Sequence, residues 1–220
     1  MNVSQPFSDV QPYASQRAPV YARNVVATSQ PLAAQAGVQM LQQGGNAVDA
    51  AIATAIALTV VEPTSNGIGS DGFAIVADPA QPHQLIGLNA SGRSPAAWDE
   101  AYFAKRYLQR TDMPDRGWDS VTVPGAVSQW VALSHRFGKL DFAQLFTPAI
   151  GYARDGFLVS PITAYSWARQ IQNLSEKPEC VSLVSAFTNN GNTPKTAEYW
   201  RFPAQAHTLE LIENQRRCVL

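Results

Sequence analysis

The sequence predicts a domain of the α+β class, and two observations lead to that prediction. Phe73–Ala77 and Leu85–Ala90 flank a turn with two prolines, a pattern typical of a β-hairpin. Helical patterns occupy much of the chain before and after this hairpin, and the densest apolar run, Ala47–Val61, is one of them. With 220 residues, of which 45% are hydrophobic and 15% charged, the chain can bury a sizeable core.

The stretch before the hairpin predicts a strand followed by two helices. Val25–Thr28 has the character of a short buried strand, apolar on both faces. The pattern over Leu32–Gln42 indicates a helix whose first turn suits Pro31. Asn46 can cap the next helix, and Asp49 can reach back to it in a variant of the capping box. We therefore interpret Asp49 as a structural cap rather than a catalytic carboxylate.

The helix Ala47–Val61 and the glycine-rich loop after it form the most distinctive part of the sequence. The helix is apolar all round and rich in alanine, which predicts burial on most sides and close packing of its neighbours. Gly67–Gly72 has the spacing G-x-G-x-x-G, and the amides of this loop could line a site. A dinucleotide fingerprint requires the order strand, glycines, helix, whereas here the order is helix, glycines, strand. A dinucleotide site is therefore excluded.

The chain after the hairpin is predicted to be mainly helical, with residues 175–200 polar and irregular. Glycines that follow two of the helical patterns are typical of helix ends. The predicted helices cover Asp99–Leu108, Ala126–Phe137, Phe142–Arg154 and Ile162–Leu174, and a further helix starts in Leu209–Glu213.

Arg93 is the candidate substrate-binding residue. It lies between Gly92 and Ser94, just after the predicted strand Leu85–Ala90. A guanidinium presents two parallel donors that match a carboxylate. The alternatives are a surface arginine without a ligand and an arginine in an internal salt bridge.

Several function classes are excluded or disfavoured. The net charge of -1, without a basic block, argues against a nucleic-acid interface. The longest apolar run falls short of the ~20 residues that span a bilayer, so no membrane span is predicted. The first 24 residues contain no secretory signal pattern, and a cytoplasmic location is expected. Cys180 and Cys218 match no metal or redox spacing.

The residues alone predict no catalytic unit and no metal site. The sequence lacks G-x-S-x-G and H-E-x-x-H, and no cysteine–histidine pair has a family signature. The three histidines, His83, His135 and His207, lie in unrelated contexts.

Four spaced motifs give the sequence a family resemblance. In order along the chain they are Gly44–Ala51, Val61–Pro63, Gly67–Gly69 and Val121–Ala126. On these motifs the sequence resembles the gamma-glutamyltranspeptidase family, also called glutathione hydrolases. The resemblance covers most of residues 24–213 and corresponds to the amino-terminal part of the large subunit.

The resemblance implies a fold, a reaction and a partner. The fold would be part of the four-layer αββα sandwich of amino-terminal-nucleophile hydrolases. The family precursor cleaves itself, and the new amino-terminal threonine of the small subunit is the nucleophile. The mature enzyme of the family transfers or hydrolyses a gamma-glutamyl group, usually from glutathione, without a metal or organic cofactor. The partner of this chain would be the missing carboxy-terminal half or small subunit, and unpaired strand edges could otherwise produce a homo-oligomer.

Two departures from the family pattern affect the expected function. No Thr-Thr-His-like segment occurs in residues 1–220, so the chain alone is expected to be inactive.

We assign residues 1–24 to an extended arm, 25–213 to the large-subunit portion, and 214–220 to a truncated or frameshifted tail.

The second departure concerns the arginine. Ser91 holds the place of the arginine in the family pattern Arg-Glu-x-Ala-Pro, and Arg93 lies only two residues before Pro95. This arrangement resembles an acylase-like branch of the family. The alternatives to gamma-glutamyl transfer are therefore a related acylase that hydrolyses glutaryl-type amides, and a non-catalytic remnant.

Overall fold

The computed structural model describes residues 20–108, 112–114 and 117–214. Most of the predicted arm 1–24 and of the predicted tail 214–220 lies outside these described residues. No helix among them is both long enough and apolar enough to cross a membrane.

The α-helices are α1 (Pro31–Gln42), α2 (Ala47–Val61), α3 (Glu100–Arg106), α4 (Ala126–Phe137), α5 (Thr147–Asp155), α6 (Pro161–Leu174), α7 (Val181–Ala186) and α8 (Pro203–Asn214). The strands are β1 (Gly72–Ala77), β2 (Leu85–Ala90), β3 (Phe157–Leu158) and β4 (Tyr199–Trp200).

Helix α2 is the centre of the core. It packs against α1, α4 and α5, and Ile52, Ile56 and Val60 are at most 1% exposed. The crossing with α1 is close, as a Cβ added at Gly37 would lie only 2.3 Å from Thr54 Oγ1. This confirms the close packing predicted from the small side chains of α2.

A second part of the core is aromatic and joins α6 to the β3–β4 pair. The rings of Trp167 and Phe202 stack with centroids 5.6 Å apart. Trp200 meets Trp167 edge to face at 5.4 Å, and Phe187 packs against Phe202 at the same centroid distance. Such ring pairs are favourable beyond the area that they bury.

Strands β1 and β2 form the predicted antiparallel hairpin, in which Phe73 pairs with Asn89 and Ala77 with Leu85. Its two faces differ. Ala74 and Val76 are partly buried against the core. On the outer face, Phe73, Ile75 and Leu85 are 67%, 77% and 71% exposed. Among the described residues no third strand pairs with either edge.

The predicted strand Val25–Thr28 is wrong for the described structure. This segment has no regular secondary structure, and the Val25 side chain is 57% exposed. A strand needs a neighbour for its backbone N–H and C=O groups, and no described residues form a ladder with this segment. An apolar run therefore did not suffice to predict a strand.

The predicted helix Phe142–Arg154 is in fact two elements. A 3-10 helix covers Phe142–Phe146, and α5 begins at Thr147. Pro148 causes the break, because proline lacks an N–H and its ring clashes with the preceding turn of a continuous helix. Pro148 instead occupies the first turn of α5, where proline is well tolerated.

The prediction that residues 175–200 are irregular is partly wrong. They contain a 3-10 helix, α7 and strand β4. The β3–β4 pair has two residues in each strand, too few to produce an alternating pattern. The last helix begins at Pro203, before the predicted start in Leu209–Glu213, again with a proline in its first turn.

Candidate functional site

Three separate segments meet beside the end of the hairpin, and we call this meeting point the loop junction. It consists of residues 67–72, 91–93 and 121–126. The amides of Gly125 and Ala126 both donate to the carbonyl oxygen of Ser70, at 3.1 and 2.9 Å. The amide of Val123 donates to the carbonyl oxygen of Arg93 at 2.9 Å. The junction thus brings together two of the motifs that carry the family resemblance and the candidate arginine.

Thr122 connects all three segments through its side chain. Its hydroxyl Oγ1 lies 3.3 Å from Asp71 Oδ1 and 3.2 Å from the carbonyl oxygen of Ser91. Its neighbours in sequence, Val121 and Val123, are 51% and 53% exposed. The alternation indicates an extended segment with Thr122 facing the junction and the valines facing solvent.

Two glycines make this close approach possible. Gly92 has a φ of +78°, and a Cβ added there would lie 1.8 Å from the carbonyl oxygen of Val123. A Cβ at Gly125 would lie 2.0 Å from the carbonyl oxygen of Ala90. The conformation of Gly92 also disfavours any residue with a side chain. Both positions therefore require glycine.

Contacts with neighbouring segments fix the backbone of Arg93, whereas its side chain is exposed to solvent. The bond from Val123 fixes its carbonyl group, and the positive φ of Gly92 fixes the direction of the preceding chain. Its guanidinium forms no hydrogen bond or ion pair with any described residue. Of the alternatives left open by the sequence, an internal salt bridge is not observed within the described part of the chain, and the Arg93 side chain is exposed to solvent.

The glycine-rich loop closes largely on itself. Its first amide, on Gly67, donates to Ser70 Oγ at 3.2 Å, and the Ser70 amide donates back to the Gly67 carbonyl oxygen at 3.1 Å. A Cβ at Gly72 would lie 1.8 Å from Oε1 of Gln129, a buried residue of α4. These contacts give the loop a scaffolding role in which it places α4 against the hairpin.

Asp49 is the structural cap that the sequence predicts. Its side chain is fully buried, and Oδ2 accepts from the Asn46 amide at 2.9 Å in a capping box. The same carboxylate accepts from the Lys139 amide at 3.1 Å and from the Leu140 amide at 3.3 Å. Asp49 therefore joins the start of α2 to the chain that follows α4.

A buried carboxylate beside the loop junction has no counterpart in the sequence predictions. Asp119 is 5% exposed, and its oxygens accept from the hydroxyl groups of Tyr102 at 2.7 Å and Tyr107 at 2.6 Å. Arg106 Nε lies 2.5 Å from Asp119 Oδ2. We call these four residues the Asp119 cluster. The one available signal was the position of Asp119 just before the Val121–Ala126 motif.

The hydrogen bonds of the cluster alter the pKa values of its members. The hydroxyl of Tyr107, then that of Tyr102, and the charge of Arg106 hold the pKa of Asp119 below its ordinary value in spite of burial. The pKa of Tyr102 is raised, chiefly because its hydroxyl donates to Asp119. The ionised carboxylate therefore stabilises the fold above its ordinary pKa, and that contribution is lost as the pH falls through the lowered value.

Other titratable residues do not form a second site in the described part of the chain. No group of three or more His, Cys, Asp or Glu residues there could hold a metal ion. Cys180 is a free thiol with intermediate exposure, while Cys218 lies outside the described residues.

The family assignment follows from comparison with known proteins. The profile of the family described as Gamma-glutamyltranspeptidase matches residues 33–218, which is most of the chain. The chain belongs to this family. The motif resemblance is thereby confirmed.

Relatives in the family include both glutathione hydrolases and acylases. The chain is 33% identical over 196 residues to the Glutathione hydrolase-like YwrD proenzyme of Bacillus subtilis (strain 168), covering 89% of this chain and 36% of the relative. It is 35% identical over 191 residues to the Acylase ACY 1 proenzyme of Pseudomonas sp. (strain SE83), covering 84% and 34%. The chain thus spans about a third of the length of these relatives.

Solved structures of the family share the fold. Cephalosporin acylase from Bacillus halodurans matches with a TM-score of 0.79 and 42% identity, covering 94% of this chain and 40% of that chain. Helicobacter pylori gamma-glutamyltranspeptidase matches with a TM-score of 0.79 and 25% identity, covering 90% and 56%. These matches confirm the α+β prediction and the amino-terminal-nucleophile hydrolase type of fold.

Proposed function

We propose that this chain forms the amino-terminal part of an enzyme that transfers or hydrolyses gamma-glutamyl groups. The threonine nucleophile would come from outside these residues, since no Thr-Thr-His-like segment occurs among them. The observation that carries the proposal is the exposed guanidinium of Arg93, held by its backbone at the loop junction of a family member. Its role would be to bind the carboxylate of the acyl group.

A second candidate is an acylase that hydrolyses glutaryl-type amides. The 42% identity to cephalosporin acylase, against 25% to the Helicobacter pylori transpeptidase, favours it. Glutaryl and gamma-glutamyl groups both end in a carboxylate, so Arg93 suits either. They differ in the amino group that only the gamma-glutamyl group carries, and a ligand pair that differs in this group separates the two candidates.

Arg93→Ala is expected to weaken binding of glutarate by the purified chain about tenfold or more. A charge-assisted hydrogen bond contributes about 1.5–3 kcal/mol, and 1.4 kcal/mol corresponds to a factor of ten in Kd. Arg93→Lys keeps the charge but loses the paired donors, so its Kd should be intermediate. The measurement is an NMR titration with glutarate, repeated with L-glutamate, which differs from glutarate only in its amino group.

The matched control for this titration is Arg169→Ala, which removes an exposed arginine from α6. Its Kd should equal that of the unchanged chain. A native chain that binds neither ligand, or an Arg93→Ala variant with unchanged Kd, contradicts the proposed role of Arg93. Preference for L-glutamate favours the gamma-glutamyl candidate, and preference for glutarate favours the acylase.

We further propose that the hairpin's outer face is covered by the remainder of a family-type proenzyme. Without it, the chain should self-associate through exposed apolar side chains and unpaired edges. Purified alone, it is expected to be larger than a monomer by light scattering and to release no product from gamma-glutamyl-p-nitroanilide. Ile75→Lys should shift it toward monomer, whereas Thr208→Lys, on exposed α8 surface, should not. The proposal is contradicted if the unsubstituted chain is monomeric or if it releases product from the anilide at a measurable rate.

A further inference from the structure

The described residues between 93 and 123 leave the loop junction and return to it, and we call them the excursion. The hydrogen bond from the Val123 amide to the Arg93 carbonyl oxygen closes this excursion at its base. Helix α3, which lies within the excursion, has no buried residue. Between residues 94 and 122, the described residues that are buried are Pro114 and Asp119. The excursion therefore depends on something other than a conventional apolar core.

The Asp119 cluster holds the excursion together. All three donors to the carboxylate come from α3 and the residue that follows it, while Asp119 lies in the 3-10 helix Trp118–Ser120. Aromatic contacts surround these bonds, with Phe103 placed 5.4 Å from Trp98 and 6.3 Å from Tyr107 between ring centroids. Removal of the charge leaves hydroxyl and guanidinium donors without their ionised acceptor, which is the costly case for a buried polar group.

The cluster connects directly to the candidate arginine. Asp119 precedes the extended segment 121–123 by two residues, and that segment contacts the chain on both sides of Gly92. Thr122 Oγ1 contacts the Ser91 carbonyl oxygen at 3.2 Å, and the Val123 amide donates to Arg93 at 2.9 Å. A shift of Asp119 would therefore move the bonds that fix the backbone of Arg93.

We propose that Asp119 is a positioning residue for Arg93: by binding Tyr102, Arg106 and Tyr107 it fixes segment 121–123, and through Val123 it sets the place of the Arg93 guanidinium. This inference rests on the proposed role of Arg93 in binding a carboxylate. It assigns to Asp119 no contact with the substrate. Its effect passes through the backbone.

The test compares Asp119→Asn with the unchanged 220-residue chain by NMR. Exchange of the Val123 amide with solvent is expected to become roughly tenfold faster, because local opening at the base of the excursion is easier. The side-chain Nε–H signal of Arg93 should shift, and the Kd for glutarate should rise severalfold. Amide protection within α2 should be unchanged, which separates a local effect from general destabilisation.

Two further variants keep the test decisive. Tyr107→Phe removes one donor and leaves the carboxylate, so smaller changes in the same direction are expected even where Asp119→Asn does not fold. Asp78→Asn makes the same chemical change in the exposed hairpin turn, where Asp78 Oδ1 accepts from the Ala80 amide, and should alter none of these readouts.

The outcomes separate this inference from the proposed function. Unchanged Val123 exchange and an unshifted Arg93 Nε–H signal in Asp119→Asn and Tyr107→Phe overturn the positioning role, whatever the Kd. A native chain that does not bind glutarate overturns the proposed role of Arg93, while the exchange and signal measurements still decide whether Asp119 positions it. Faster exchange together with weaker glutarate binding supports both.

Discussion

Asp49→Ala is expected to lower the free energy of unfolding by about 3–5 kcal/mol, the lower part of the range expected when three N–H groups lose their acceptor at about 1–3 kcal/mol each. These groups are the amides of Asn46, Lys139 and Leu140. The carboxylate is fully buried, so water cannot replace it without rearrangement. The loss would affect both the start of α2 and its link to the end of α4.

Urea denaturation measures this effect, and the slope of the free energy of unfolding against urea concentration should be unchanged. The matched control is Asp99→Ala, which removes a capping aspartate that is exposed and accepts from a single amide, that of Tyr102, at 2.7 Å. This control should cost about 1 kcal/mol. Equal losses for the two variants would show that the bonds of Asp49 across the fold contribute nothing beyond a helix cap.

Gly92→Ala is expected to cost about 3 kcal/mol, since the substitution adds backbone strain to a steric clash. The added Cβ would lie 1.8 Å from the Val123 carbonyl oxygen, and the φ of +78° is one that alanine rarely adopts. Relief of the clash requires segment 121–123 to move away from residues 91–93. The variant should therefore also lose the bond from Val123 to Arg93.

The measurements are urea denaturation and exchange of the Val123 amide, which should be faster in Gly92→Ala. Gly87→Ala is the matched control, because a Cβ there meets nothing within 4 Å and the residue lies within β2. It should raise stability by about 0.5 kcal/mol, as alanine suits a strand better than glycine. A Gly92→Ala variant as stable as Gly87→Ala would mean that the close approach at the junction is not required.

Local signals explain why much of the fold was predictable. The bounds of α2, α4 and β2 agree with prediction, since each is delimited by residues with a clear conformational preference. Asn46 and Asp49 cap α2, and Gly138 follows α4. Capping and turn preferences act over three or four residues and are therefore visible in the sequence alone.

The incorrect predictions concern features decided by distant parts of the chain or by a single residue. Val25–Thr28 has the composition of a strand, but a strand exists only with a neighbour. Pro148 divides a helical pattern whose apolar spacing continues across it. The β3–β4 pair depends on contacts between residues more than forty positions apart.

The same distinction applies to the candidate site. Arg93 could be proposed from the sequence because its chemistry and its glycine neighbour are local, and its role in binding stays a prediction. Its link to Val123 and the Asp119 cluster could not be predicted, because the partners lie 12 to 30 positions away and no short motif relates them. The family resemblance identified the segments that meet at the loop junction, but only the structure shows how they are joined.

The proposed covering of the hairpin's apolar outer face by the remainder of a proenzyme has a consequence for how the two parts are synthesised. A partner on the same polypeptide is held near that face at an effective concentration in the millimolar range. A partner made as a separate chain must arrive by diffusion, in competition with further copies of the exposed hairpin. Synthesis of both parts as one proenzyme, with cleavage only after the face has been covered, would give correct pairing a kinetic advantage over aggregation.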